Sequence, residues 1–127
     1  MDLYRDNILD HYQNPHNWGR LKKPSASAQV ANELCGDKLT VDILVNESIS
    51  NTDQKQVQEI AFEGEGCAIS IASASMLTDA IIGKSIHELK RMNADDMVEL
   101  LGTSLTPTRL KCALISLEAV HKAIQSV

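Results

Sequence analysis

The sequence predicts an α+β fold in which a three-stranded antiparallel sheet carries helices packed on one face. Between residues 38 and 45 apolar side chains alternate strictly with polar ones such as Asp42, which places the polar ones on the solvent side of a half-buried strand. After Gly66 the apolar residues recur at helical spacing instead. Because strands precede most of the helices, we expect one sheet with its helices segregated to one side.

An N-terminal helix and a strand meander form the first half of the predicted fold. Residues 3–12 carry an apolar stripe at helical spacing that stops at an Asn-Pro pair. Strands are expected at residues 28–32, 38–45 and 57–63, separated by loop-like segments. A meander is the simplest topology for three strands joined in this way.

The second half of the chain is predicted to be helical. The first helix follows the third strand and ends near Gly83. Two short helices are expected at residues 85–92 and 94–101. Ser85 is suited to cap the first of these, because Glu88 follows three residues later in a capping-box pattern.

The last helix is expected to begin near Pro107, a residue favoured in a first helical turn. Its predicted buried stripe consists of Leu110, Leu114, Leu117, Val120 and Ile124. Cys112 lies two residues from both leucines at the start of that stripe, about 200° around the helix. We therefore expect Cys112 to face away from the main buried surface.

Length and composition indicate one small aliphatic domain. A chain of 127 residues falls in the usual range of a single domain, so residues 1–127 are expected to form one. Apolar residues make up 43% of the chain but aromatic residues only 3%. The core must therefore be built mainly from aliphatic side chains.

Charge and hydropathy exclude several classes of partner. The net charge of −5, without a basic patch, does not suit a phosphate backbone, so we expect no nucleic-acid partner. The most apolar stretch, residues 68–77, is interrupted by serines and is too short to span a membrane. The acidic residues near the N-terminus do not resemble an export signal. These features predict a cytoplasmic protein with no membrane partner.

Cys35, Cys67 and Cys112 are the candidate chemical groups. An odd number of cysteines cannot close into a complete set of internal disulfides, which favours metal binding or thiol chemistry. For any one of them, the alternative is a small buried hydrophobic residue. The cysteines lie far apart and contain no C-x-x-C pair, so a shared site must be assembled by the fold.

The local sequence predicts that the three cysteines and Asp37 meet at one end of the sheet. Cys35 and Asp37 flank a glycine at the turn that enters a strand. Cys67 stands at the start of a helix, where backbone N–H groups and the helix dipole favour the thiolate form. Three thiolates and a carboxylate suit zinc or iron–sulfur chemistry, and the carboxylate is the harder, more exchangeable ligand.

Three motifs resemble those of a known family. They are Asn-Glu-Leu-Cys-Gly-Asp at residues 32–37, Gly-Glu-Gly-Cys-Ala-Ile-Ser at residues 64–70 and Arg-Leu-Lys-Cys-Ala at residues 109–113. Together they resemble the three cysteine motifs of the IscU/NifU-type iron–sulfur cluster assembly scaffolds. Residues 4–19 are also similar to that family's N-terminal segment, so the likeness spans nearly the whole chain.

The resemblance implies an IscU/SufU-like α+β fold and the function of a non-enzymatic scaffold or carrier. Such a protein accepts sulfur from a cysteine desulfurase, binds iron, builds a 2Fe-2S cluster and transfers it to apo iron–sulfur proteins. By motif position, Cys35, Asp37, Cys67 and Cys112 are its metal or cluster ligands. Cys112 and Cys35 are both candidates for the first sulfur acceptor, and a homo-oligomer stays open.

Lys111 distinguishes two branches of the family. IscU scaffolds usually have a histidine before the third cysteine, whereas a lysine there is typical of the SufU branch, whose members bind Zn²⁺ and accept persulfide sulfur. SufU proteins, however, usually carry an insertion between the second and third cysteines, which this chain lacks. The Leu-Pro-Pro-Val-Lys chaperone motif of many IscU proteins is also absent. The alternatives are therefore a zinc-dependent SufU-type sulfurtransferase and a zinc-stabilised structural domain.

Other polar residues are expected to have structural roles. Lys111 is either an auxiliary charge for sulfide or persulfide, or a solvated helix side chain. The histidines at positions 11, 16, 87 and 121 lie in separate segments without ligand-like spacing, which favours structural or surface roles. The serines at positions 70, 73 and 75 favour close helix packing. Gly64 and Gly66 would let the backbone approach the metal.

Overall fold

A computed structural model describes residues 3–32 and 36–127. Its elements follow the predicted order, with boundaries within two residues of those predicted. In chain order they are α1 (Leu3–Gln13), β1 (Ala26–Asn32), β2 (Asp37–Val45), a short 3-10 helix (Thr52–Gln54), β3 (Val57–Glu65), α2 (Ala68–Ile81), α3 (Ile86–Arg91), α4 (Ala94–Leu101) and α5 (Pro107–Ile124).

The strands form an antiparallel meander in the order β1-β2-β3, which confirms the predicted sheet. Val41 in the middle strand pairs with Ala28 on one side and Phe62 on the other, and all three are buried. Strand β3 runs two residues further than predicted because Glu65 still pairs with Lys38. This extra length carries the chain to the end of the sheet where β2 begins.

The segment after α1 covers the outer edge of β3. The Phe62 N–H donates to the Asn17 carbonyl at 2.9 Å, and the Gly19 N–H donates to the Phe62 carbonyl at 2.8 Å. The Trp18 ring meets the Phe62 ring edge-on, with centroids 5.3 Å apart. The edge therefore has hydrogen-bond partners where an exposed strand would otherwise invite pairing with another chain.

Helices α2 and α5 pack against the sheet, and α1 packs against α2. Every side chain of α2 from Ser70 to Thr78 is buried, because the helix lies between α1, α5 and the sheet. Such a helix has no polar face and can tolerate only small hydroxyl groups among its apolar residues. The predicted arrangement of a sheet with helices packed against it is confirmed.

The helix starts follow the predicted capping signals. The Ser85 side chain accepts the Glu88 N–H, and Pro107 occupies the first turn of α5 behind the cap Thr106. Asn93 and Asp96 form a reciprocal capping box at α4. Within the described part of the chain, no helix is long and apolar enough to cross a membrane.

The buried face of α5 differs from the predicted stripe. Leu110 and Leu114 are only partly buried, whereas Cys112 is 6% exposed. The buried residues of this helix are Cys112, Ala113, Ile115, Ser116, Leu117, Ala119, Val120, Ala123 and Ile124. The expected outward orientation of Cys112 is therefore wrong. Small side chains such as Ala113 let α5 approach the sheet and α2 closely, so that they, and not the two leucines, define the inner face.

Asp42 was expected on the solvent side of β2, but its side chain has no exposed surface. It accepts hydrogen bonds from Arg20 Nε at 2.7 Å, the Leu21 N–H at 3.0 Å and Ser27 Oγ at 2.5 Å. Burial alone would raise the pKa of Asp42, but these hydrogen bonds together hold it below its ordinary value. The loop that carries Arg20 thus covers part of the outer face of the sheet.

Candidate functional site

Asp37, Cys67 and Cys112 meet at the end of the sheet where β2 begins. One ligand atom from each residue, the two sulfurs and a carboxylate oxygen, lies within 4.8 Å of the others. Asp37 opens β2, Cys67 caps α2, and Cys112 stands in the second turn of α5. Three elements far apart in sequence therefore supply the cluster.

Cys35 lies outside the described residues, so its predicted place in this site stays a prediction. The strand residues on either side of the undescribed segment are paired, with Asn32 opposite Asp37 in the β1–β2 ladder. The Gly36 N–H also donates to the Asn32 carbonyl at 2.9 Å. Strand β1 thus ends, and strand β2 begins, next to the Asp37 carboxylate.

Asp37 is buried, with 2% of its surface exposed, and it shares the face of the core residues Leu39 and Val41, because residues two apart in a strand point to the same side. Its Oδ1 accepts the Cys67 backbone N–H at 3.0 Å. Its Oδ2 lies 4.0 Å from Cys67 Sγ. The N–H group thus orients the carboxylate so that its second oxygen faces the thiol.

Cys67 is exposed and stands at the start of α2, as the sequence predicts. Its sulfur accepts the Ser70 N–H at 3.5 Å, as an N-cap side chain does, and the Ser70 hydroxyl donates to the Cys67 carbonyl at 3.0 Å. Cys67 is therefore an exposed residue whose sulfur is held at the first turn of α2.

Gly66 leaves space for the groups that hold Cys67. A Cβ atom at this position would lie 2.1 Å from Ser70 Oγ and 3.1 Å from Asp37 Oδ1. Gly66 thus allows Ser70 and Asp37 to approach the backbone, while the expectation that it lets the backbone approach a metal stays a prediction. The hydrogen bond of Ser70 to the Cys67 carbonyl was not predicted from the sequence, although a serine hydroxyl in a helix commonly bonds a carbonyl three or four residues earlier.

Cys112 completes the cluster from the buried side, whereas its neighbour Lys111 is exposed. Two candidate ligands are therefore buried and one is exposed.

The donor atoms have the composition and spacing of a metal site. Thiolate ligands lie about 2.3 Å from Zn²⁺ and carboxylate oxygens about 2.0–2.2 Å, so two ligands of one ion stay within about 4.6 Å. The ligand atoms of Asp37, Cys67 and Cys112 all lie within 4.8 Å of one another, which is close to this limit. Two sulfurs and one oxygen leave one tetrahedral position for a further ligand.

A groove of about 520 Å³ opens beside Cys67, and the sequence analysis did not predict it. Its walls come from α1, the start of α2 and the segment that leads into α5. They combine apolar side chains with two arginines: Arg5, Ile8, Leu9, Ile69, Leu105 and Arg109. The exposed sulfur therefore faces a channel that is large enough for a peptide segment or a small molecule.

Two of the four histidines lie close together, although the sequence places all four in separate segments without ligand-like spacing. His11 and His16 form a cluster with Asp79, in which one ligand atom from each residue lies within 4.8 Å of the others. Burial and the neighbouring His16 lower the pKa of His11. Burial alone would raise the pKa of Asp79, but hydrogen bonds from His16 and Asn17 lower it. By contrast, His121 lies apart from this cluster, and its Nε2 donates a hydrogen bond to the Leu89 carbonyl at 2.8 Å.

Comparison with known proteins identifies the family. The family described as the NifU-like N terminal domain matches residues 3–127. The chain is 37% identical to the zinc-dependent sulfurtransferase SufU of Bacillus subtilis (strain 168), over 96% of this chain and 89% of that protein. That alignment spans 139 positions, at least 12 more than the 127 residues of this chain, so SufU carries residues without a counterpart here.

Two further comparisons agree with this family. The chain is 33% identical to the iron-sulfur cluster assembly scaffold protein IscU 1 of Archaeoglobus fulgidus, over 96% of this chain and 74% of that protein. The crystal structure of a nitrogen-fixing NifU-like protein (N-terminal) from Brucella abortus superposes with a TM-score of 0.73, at 23% identity over 98% of this chain and 93% of that one, which is a likeness of fold. The predicted resemblance is thus confirmed, and the chain belongs to the family of NifU-like N-terminal domains that includes the IscU and SufU proteins.

Proposed function

We propose that this protein is an iron–sulfur cluster assembly scaffold. It accepts sulfur from a cysteine desulfurase, binds iron, builds a 2Fe-2S cluster and transfers the cluster to apo iron–sulfur proteins. The observation that carries the proposal is the cluster of Asp37, Cys67 and Cys112 within 4.8 Å, with one sulfur exposed. The match to a relative named as an iron-sulfur cluster assembly scaffold supports it.

In this proposal the cluster ligands are Cys35, Asp37, Cys67 and Cys112. Asp37 and Cys112 provide a buried, oriented side, whereas Cys67 opens to solvent and to the groove. Cys35 is included because it precedes Asp37 by two residues in the sequence. Iron is bound by the thiolates, and the harder carboxylate of Asp37 is the ligand that exchanges most readily when the cluster leaves.

Of the two candidate first sulfur acceptors, Cys112 is disfavoured by its burial, so we propose Cys35. Attack on a persulfide needs an accessible thiolate, and Cys112 is only 6% exposed. The Cys35 thiolate attacks the outer sulfur of the desulfurase persulfide, a new S–S bond forms, and the desulfurase cysteine leaves as a thiolate. Each transferred sulfur then takes two electrons from an external reductant to become sulfide. The exposed ammonium of Lys111 supplies nearby positive charge.

Anaerobic reconstitution tests the proposal. The intact protein is incubated with iron, cysteine, a cysteine desulfurase and a thiol reductant, and visible absorption is followed. We expect cluster absorption in the native protein and its loss in Cys67→Ser. The native protein should then transfer its cluster to an apo-ferredoxin. A native protein that stays colourless, or a Cys67→Ser variant that assembles the same cluster, contradicts the proposal.

The second candidate is a zinc-dependent SufU-type sulfurtransferase that uses the same residues. The 37% identity to a protein of that name and the lysine at position 111 favour it. The residues of SufU that this chain lacks count against it. Zinc that stays bound during reconstitution, together with stimulated desulfurase turnover and no cluster, would establish this second function. Inertness in both assays would leave a zinc-stabilised structural domain.

The proposed scaffold is a carrier, whereas the second candidate would be a transferase. We assign the proposed scaffold to the cytoplasm, because exposed thiolates that exchange sulfur need a reducing compartment. Its proposed partners are a cysteine desulfurase and apo iron–sulfur proteins.

A further inference from the structure

We propose that His11, His16 and Asp79 form a second metal site, separate from the cysteine site, that binds a divalent first-row transition ion such as Zn²⁺ or Fe²⁺. Two imidazoles and one carboxylate are the ligand types that such ions accept when sulfur is absent. This site does not depend on the scaffold function proposed above.

The three side chains come from different stretches of the chain. His11 lies near the end of α1, His16 in the loop that follows, and Asp79 in the last turn of α2. One ligand atom from each residue lies within 4.8 Å of the other two, and the centroids of the two imidazole rings lie 4.5 Å apart. The packing of α1 against α2 brings them together.

Neighbouring groups orient the side chains of His11 and Asp79 and hold the backbone of His16. Asp79 Oδ1 accepts a hydrogen bond from Asn17 Nδ2 at 2.9 Å. Ser75 Oγ, which is buried, lies 2.7 Å from His11 Nδ1 and accepts the His16 N–H at 2.8 Å. In the tautomer whose Nδ1–H donates a hydrogen bond to Ser75 Oγ, the Nε2 atom of His11 presents a lone pair to an ion. Hydrogen bonds of this kind fix the orientation of histidine and carboxylate ligands in metal sites.

An ordinary ion pair is the competing explanation for part of this cluster. His16 Nδ1 lies 2.5 Å from Asp79 Oδ2, which is a hydrogen-bond distance and shorter than the spacing between two ligands of one ion. The pair must therefore open by about 1 Å to admit a metal at about 2.0–2.2 Å from each atom. Both side chains are nearly half exposed, at 47% and 44%, so they can move apart and leave room for water ligands.

The second site differs from the first in place and in chemistry. Asp79 follows Cys67 by twelve residues in the same helix, which separates them by about 18 Å along its axis. A nitrogen–oxygen site without thiolates binds borderline ions less tightly than a thiolate site and exchanges them more easily. An ion held here would tie α1 and the following loop to α2, and so stabilise the docking of the N-terminal helix.

Zinc stoichiometry tests the proposal. Equilibrium dialysis of the intact, reduced protein against Zn²⁺ is expected to give two ions per chain. His16→Gln and Asp79→Asn should each bind one, while His87→Gln, which changes an exposed histidine outside the cluster, should still bind two. The proposal is overturned if the native protein binds one ion, or if both cluster variants retain the second.

A measurement on the unaltered protein makes the test independent of how the variants fold. Imidazole ¹⁵N resonances are followed during a Zn²⁺ titration. We expect the ring signals of His11 and His16 to shift with the second equivalent, and those of His87 and His121 to stay in place. Unchanged signals for the first pair, or equal shifts in all four, would show that the cluster is a hydrogen-bonded contact. Either result would leave the scaffold proposal intact, because that depends on cluster assembly.

Discussion

The Asp37 carboxylate contacts two different parts of Cys67. Its Oδ1 accepts the Cys67 backbone N–H at 3.0 Å, while its Oδ2 lies 4.0 Å from the sulfur. The first contact ties β2 to the start of α2, and the second puts negative charge beside the thiol. Structural and chemical contributions of Asp37 are therefore separable by substitution.

Asp37→Asn should lower Zn²⁺ affinity by at least about tenfold, as the loss of a group in or next to a metal's ligand set typically does. Asparagine keeps an oxygen that can accept the Cys67 N–H, but it removes the charge and a good ligand atom. The thermal midpoint without metal should therefore change little. Competition with a chromophoric chelator measures the affinity, and the decay of cluster absorption measures the cluster lifetime, which should also change.

Asp37→Ala and Asp95→Asn are the companion variants. Alanine also removes the acceptor for the Cys67 N–H, so this variant should lose folding stability as well as metal affinity. Asp95 is exposed in the first turn of α4, and its substitution should alter neither quantity. If Asp37→Asn has the affinity and cluster lifetime of the native protein, Asp37 is not a ligand.

Gly66→Ala should destabilise the fold by about 1–3 kcal/mol, the usual range for overpacking a close-packed site. The added Cβ would stand 2.1 Å from Ser70 Oγ, which must rotate and lose its hydrogen bond to the Cys67 carbonyl. Because the same movement disturbs the cap around Cys67, metal affinity should fall as well. Urea unfolding and zinc competition measure the two effects.

The double variant Gly66→Ala with Ser70→Ala is the control for this steric cause. Removing Oγ removes the closest atom to the added methyl group, while the Ser70 N–H that faces the sulfur is kept. The two substitutions should therefore cost less together than the sum of their separate costs. Strictly additive losses would mean that the clash with Ser70 is not the cause.

Local patterns were sufficient to predict most of the fold. The alternation in β2 depends on a two-residue period, and the starts of α3 and α5 depend on Ser85 and Pro107, which act within one helical turn. The presence of Cys67 at the start of α2 follows from the same kind of signal. These features depend on neighbours in sequence, so a single chain is enough to reveal them.

Features created by packing could not be predicted in this way. The orientation of Cys112 depends on how closely α5 approaches the sheet, and the burial of Asp42 depends on a loop that folds over it. His11 and Asp79 are 68 positions apart and meet only because α1 docks on α2. No local period records such contacts, so they become visible only in three dimensions.

Ser73→Ala should leave stability unchanged or raise it by up to about 1 kcal/mol. Ser73 Oγ is buried and, among the described residues, has no hydrogen-bond partner. Removing an unsatisfied buried hydroxyl relieves its desolvation cost, and alanine is the better helix former. Denaturant unfolding of both proteins gives the difference directly.

Ser75→Ala is a matched comparison, because Ser75 is equally buried in the same helix. Its hydroxyl contacts His11 Nδ1 at 2.7 Å and accepts the His16 N–H at 2.8 Å. Loss of these partners should cost about 1–3 kcal/mol and loosen α1. Equal effects of the two substitutions would show that the hydrogen bonds of Ser75 contribute no net stability.

Asp42→Asn should cost on the order of 2 kcal/mol at pH 7, because the buried carboxylate loses its charge-assisted hydrogen bonds to Arg20. The pKa of Asp42 is lower in the folded state than its ordinary value of about 3.9. Its contribution to stability is therefore complete above about pH 4 and is lost as the pH falls through the folded-state pKa. Unfolding curves of the native and variant proteins should converge in acid.

Asp53→Asn is the control for this pH dependence. Asp53 forms a similar 2.8 Å pair with Lys90, but both side chains are half exposed, so solvent screens the interaction. Substitution of Asp53 should produce no measurable change in the free energy of unfolding, either at pH 7 or in acid. A difference between native protein and Asp42→Asn that stays constant down to pH 2 would mean that the lost stability comes from altered packing, since the ionised carboxylate would then no longer be present to supply it.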